Sequence, residues 1–128
     1  MISHQFTDFL FLLGDDSIDL FNYFNANKLH GLCRKDCEKK TDTKYSAFIA
    51  GMCNVIPNSE NKMYIFINSK RLGNGHKDIT LIFHEAMHLA FWKYNYDVSK
   101  EEEMITYAEL TTSLIHRLLK LNLCSIEL

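Results

Sequence analysis

Apolar residues along this chain fall into segments with different periods. Phe6 to Leu13 is almost continuously apolar and predicts a helix, with a short strand as the other fit. Asp16-Ser17 has cap chemistry, and Ile18, Leu20, Phe21, Tyr23 and Phe24 then mark a helix reaching about Leu29. Residues 31 to 44 are polar and without period. Tyr45 to Ile56, with Phe48, Ile49, Val55 and Ile56 among small residues, predicts a strand, and Met63 to Asn68 a stronger one. Pro57 to Asn61 is turn chemistry, so the two strands should form a hairpin. Gly73-Asn74-Gly75 closes the next loop. A helix is expected over about 77–94, then a loop to Val98, then a long helix over Ser99 to Leu121.

Composition narrows the function classes. A chain of 128 residues with 47% hydrophobic and 23% charged residues suits one globular domain spanning 1–128. Nine Phe, six Tyr and one Trp promise an aromatic core. The formal charge of −2 offers no field for nucleic acid or an anionic membrane. The basic stretch Arg34 to Lys44 also holds Asp36, Glu38 and Asp42 and reads as a solvated face. No segment reaches the length of a membrane span, and Met1 to Leu13 lacks the pattern of a signal peptide. Cys33, Cys37, Cys53 and Cys124 then read as reduced thiols, and a cytoplasmic location is expected.

One motif carries chemistry. Residues 84–88 read His84-Glu85-Ala86-Met87-His88, an HExxH stretch inside the helix expected over 77–94. Residues four apart on a helix lie one above the other. His84 and His88 can therefore face one Zn2+ ion, with Glu85 placed as general base toward a water. The competing reading is two unremarkable histidines on a packed helix. It leaves unexplained why a base stands between them.

Catalytic zinc needs a third protein ligand. No His follows His88 until His116, so the candidates are Glu101, Glu102 and Glu103. Ser99 and Glu102 form a capping-box pattern, which accounts for Glu102 without a metal. Glu102 also shares a polar face with Thr106, Glu109, Ser113, His116 and Lys120. Glu103 heads the stripe Tyr107, Leu110, Leu114, Leu118 and Leu121, expected to face the core, and stands where a hydrophobic partner for Val98 would be. A carboxylate heading an apolar stripe needs a partner. Glu103 is the favoured third ligand and Glu101 the reserve.

Ile67-Asn68 ending a strand, a loop, the HExxH helix and then Glu103-Met104-Ile105-Thr106-Tyr107-Ala108 opening a helix resemble the ImmA/IrrE-type metallopeptidases, a minimal gluzincin branch. The resemblance covers about residues 63–115. Met87 stands where a small residue is usual, and Ile105 where Asn is common. The resemblance implies an α+β, zincin-like domain: a short antiparallel sheet or hairpin, the HExxH helix and a long C-terminal helix. It also implies zinc on His84, His88 and Glu103, and hydrolysis of a protein or peptide substrate such as a regulatory protein. The alternative is a non-catalytic module that keeps the fold to bind a protein. The strand near Tyr64 to Asn68 could hold an extended peptide by strand addition. Tyr107, Tyr94, Tyr96 and His76 are the available oxyanion donors.

Two weaker constellations remain. His30, Cys33 and Cys37 could join a second zinc, but their spacing is not that of a common finger. Cys53, in Gly51-Met52-Cys53, resembles the cysteine ligand of peptide deformylases without the surrounding motifs.

Overall fold

The structure, a computed structural model, describes residues 1–15, 17–27, 51–56, 62–73 and 75–122. Among these the fold is mixed α+β. Its elements are β1 (Ile2–Gln5), β2 (Phe9–Gly14), α1 (Ser17–Ala26), β3 (Gly51–Val55), β4 (Met63–Asn68), α2 (His76–Lys93) and the long α3 (Glu101–Asn122). Short 3-10 turns cover Ser69–Arg71 and Val98–Lys100. The chain divides into two compact units, Met1–Leu72 and Gly73–Leu128.

The first unit holds a four-stranded sheet in the order β1-β2-β4-β3. The β1/β2 and β3/β4 pairs are antiparallel, whereas β2 and β4 run parallel. The sheet is therefore mixed, not the purely antiparallel one expected. The run Phe6 to Leu13, expected as a helix with a short strand as the other fit, instead enters the strand β2 at Phe9. Its residues Phe9-Leu10-Phe11-Leu12-Leu13-Gly14 are all buried, and so is every residue of β4. A strand enclosed on both faces carries no polar alternation, and this is why the run lacked a strand-like period. β1, polar and exposed, had no hydrophobic signal.

Register fixes the side of the sheet that meets α1. Leu10 pairs with Tyr64 and Leu12 with Phe66, and these side chains pack with Leu20 and Phe24 of α1 and with Ile56. The Phe24 and Tyr64 rings meet edge-on at 5.2 Å, and the Tyr64 hydroxyl donates to Met52 Sδ at 3.2 Å. Ile56 N–H donates to the Lys62 carbonyl at 2.7 Å beyond the paired strands. The turn expected at Pro57 to Asn61 lies outside the described residues, as do Tyr45 to Ala50 and the cysteines at 33, 37 and 124.

At the carboxyl ends of β2 and β4, the buried Asn68 side chain accepts from Lys70 N–H at 2.9 Å and turns the chain into the 3-10 segment. Ser69 Oγ donates to Asp15 Oδ1, and Asp15 N–H donates to Asp19 Oδ2 at 2.9 Å.

The second unit is a helical hairpin. Gly73 and Gly75 lead into α2 with φ of 92° and 64°, a region only glycine enters freely. Asp78 accepts from Gly73 N–H at 2.9 Å, which steadies that entry. α2 closes through Asn95 and Tyr96, both left-handed, with Tyr96 N–H reaching the Phe91 carbonyl at 2.8 Å. Ala86 and Ala90 of α2 pack with Met104 and Ala108 of α3, flanked by Phe83, Met87, Phe91, Tyr94 and Tyr107. Three alanines at the contact let the helix backbones approach closely.

Removing the α1 ring should expose how far the sheet depends on it. Phe24→Ala is expected to cost about 3–5 kcal/mol of stability, read as a lower urea midpoint at unchanged slope. An effect below about 1 kcal/mol would show that Phe24 does not anchor the sheet.

Candidate metal-binding helix

The HExxH residues occupy the middle of α2, as the apolar period demanded. His84 and His88 are exposed, and their Nε2 atoms stand 3.3 Å apart. The rings lie edge to face, with centroids 4.9 Å apart. Two bonds of about 2.0–2.1 Å to one ion would subtend roughly 104–111° at that separation, close to the tetrahedral angle. The same separation also allows one neutral imidazole to donate to the other. The donor pair thus fits two corners of a zinc site.

Glu85 follows His84 by one residue, about 100° around the helix. That step carries it off the wet face to the border of the face buried through Ile82, Ala86, Leu89 and Ala90. Glu85 keeps only 5% of its surface exposed, yet its Oε2 stands 3.9 Å from His84 Nε2. Burial raises its proton affinity above the ordinary glutamate value, and His84 works in the opposite direction with the smaller effect.

The carboxylates of α3 lie differently from expectation. Glu101, Glu102 and Glu103 are all exposed in its first turn. The face of α3 that is buried runs through Met104, Ala108, Thr111, Thr112, Ile115 and Leu119, one residue round from the expected Tyr107-Leu110-Leu114 stripe. Leu110 and Leu114 are 61% and 44% exposed. Ala108 suits the alanines of α2 where a leucine would hold the helices apart. The Thr112 hydroxyl is satisfied within the helix, donating to the Ala108 carbonyl at 2.7 Å.

The cap also differs. Ser99 does not cap α3. Its hydroxyl and its N–H both donate to Asp97 Oδ1, at 2.7 and 3.0 Å. Asp97 is the N-cap of the 3-10 turn, and these bonds hold its carboxyl below the usual range. A charged acceptor at the start of a helix outcompetes the neutral hydroxyl. Val98 is 84% exposed, so it makes no staple with position 103.

Among the described residues, no group of three or more His, Cys, Asp or Glu side chains forms a metal-binding cluster. Known protein families, characterised proteins and solved structures offer no match to the chain.

Of the expected oxyanion donors, Tyr94 and Tyr107 take up packing positions, whereas Tyr96 and His76 are exposed. Tyr94 and Tyr107 meet edge-on at 6.2 Å, and Lys93 Nζ lies 4.7 Å over the Tyr107 ring. Tyr96 stacks on Phe91 at 5.9 Å, and the His76 carbonyl accepts from Thr80 Oγ1 at 3.2 Å. Lys93 escaped sequence reasoning; its place in the last turn of α2 was the available signal. Cys53 lies half-buried in β3. His30, with Cys33 and Cys37, lies outside the described residues. β4 has a neighbour on each side and cannot take up a peptide strand; among the described residues the outer strands of the sheet are β1 and β3.

The buried carboxyl has a consequence for stability in metal-free protein. Folded Glu85 binds its proton more tightly than unfolded Glu85. As pH rises from the ordinary glutamate range through the raised folded value, the wild type should lose stability relative to Glu85→Gln. Above that value the difference should be constant. Urea titrations of both proteins in chelator test this, and a wild type that gains on the variant with rising pH would contradict it.

Proposed function

We propose that the chain is a zinc-dependent metallopeptidase that cleaves a peptide bond of a protein substrate. The observation that carries this reading is the 3.3 Å pairing of His84 and His88 Nε2 beside the buried Glu85. His84, His88 and Glu103 are the proposed zinc ligands, with Glu101 in reserve. A zinc ion held there supplies Lewis acidity that polarises a peptide carbonyl and acidifies water.

The chain's own residues supply the rest. Exposed imidazoles leave the metal position open to a substrate. Glu85 receives a proton from water and hands it to the leaving amine. Its raised proton affinity suits both halves of that task, because a carboxyl too acidic would not hold the proton between them. α3 meets the end of α2 at Tyr94 and Tyr107, and Glu103 stands one helical turn before Tyr107.

The resemblance to ImmA/IrrE-type metallopeptidases supports a regulatory protein as substrate. Among the described residues no helix is long and apolar enough to cross a membrane.

A second reading, a non-catalytic protein-binding module, draws support from the lack, among the described residues, of a cluster of three donors. The intact Glu85 weighs against it.

Purified protein should hold close to one zinc per chain, and His84→Ala or His88→Ala should lower that at least about tenfold. Glu103→Ala should reduce zinc retention more than Glu102→Ala; the opposite order removes Glu103 from the site. Glu85→Gln should keep zinc and lose at least about a hundredfold in peptide cleavage. Retained cleavage in that variant excludes Glu85 as the base. Zinc binding with no cleavage by the wild type, on proteins it captures from lysate, favours the module.

A further inference from the structure

α3 carries two apolar faces, and its own hairpin uses one. The face through Met104, Ala108, Ile115 and Leu119 is buried. The other presents Leu110 and Leu114, one helical turn apart and both exposed. Glu103, Leu110 and Arg117 follow at intervals of seven, and Leu114 fills the alternate position. Together they make a short seam of the kind that pairs helices.

Charge along this stripe is segregated. Glu103 stands at one end of it and Arg117 at the other, while Glu101, Glu102, Glu109 and Lys120 lie off it. That polarity suits the helix dipole, but the dipole gives no account of two leucines held in water between the charged ends.

We propose that this face of α3 binds the same face of a second copy, antiparallel about a two-fold axis between the levels of Leu110 and Leu114. In that arrangement Leu110 of each copy lies against Leu114 of the other. Glu103 of each copy lies toward Arg117 of the other. A two-fold contact of this kind is self-complementary and closes at a dimer. A parallel pairing would set glutamates against glutamates and arginine against arginine. Without a metal, Glu103 is available to this contact, so the contact is tested in metal-free protein.

Sedimentation velocity in chelator, from about 10 to about 500 µM protein, tests the contact. The expected result is a concentration-dependent monomer–dimer equilibrium that weakens as salt rises from about 0.05 to about 0.5 M. Leu110→Glu and Arg117→Glu should each weaken it about tenfold or more, with helical content unchanged. A monomer throughout the range overturns the proposal. So does a dimer indifferent to both substitutions, or one that tightens with salt, the signature of like charges brought together. None of these outcomes bears on zinc content, which Leu110→Glu should leave as in the wild type.

Discussion

Two imidazole nitrogens 3.3 Å apart on one side of α2, with a carboxylate buried one residue away, are the arrangement on which the proposed chemistry depends. The arrangement follows from helix pitch and from which side of α2 is covered. His84 and His88 are nearly in line along the axis; Ala86 and Ala90 lie roughly opposite. Glu85 falls between the two and is half in each world. Turning α2 by one residue would bury a histidine or release Glu85 to water. The small side chains at 86, 90 and 108 hold it in this orientation, because they allow α3 to seat on that side alone.

The other unit is organised by a different constraint. β2 and β4 lie side by side with every residue buried, so the sheet is specified by burial more than by turns. Fully enclosing a large apolar side chain is worth roughly 1.5–3 kcal/mol, and each of these strands contributes several. The register matches Leu10 to Tyr64 and Leu12 to Phe66, and a one-residue slip would invert both sets. The edges are left to β1, which is polar and exposed, and to β3. A short, mainly polar edge such as β1 limits unwanted pairing.

Elements whose signal is local were legible in the sequence. β4 was read to the residue, α2 to within one at each end, and α1 and α3 to within a few. What depended on a partner was not. The Phe9 to Leu13 run has no period because both of its sides are covered, and a short apolar run of that kind does not distinguish a strand from a helix. The face of α3 was misjudged because two apolar stripes stand about 100° apart on it. The choice between them was made by alanines on another helix. Ser99 and Asp97 are both good caps, and the charged one prevailed. The third ligand is a property of tertiary placement, and helix periodicity carries no information on it.

Glu85 is where stability and function part company. At a purely structural position beside Ile82, Ala86 and Leu89, an apolar residue or a glutamine would fill the space without the cost of desolvating a carboxylate. Nothing in the packing asks for an acid there. A hydrolytic centre does ask for one, held close to the histidines and with its proton affinity raised toward neutrality. The burial that makes Glu85 a poor choice for holding the helix is the same burial that raises its proton affinity, as the proposed reaction would need.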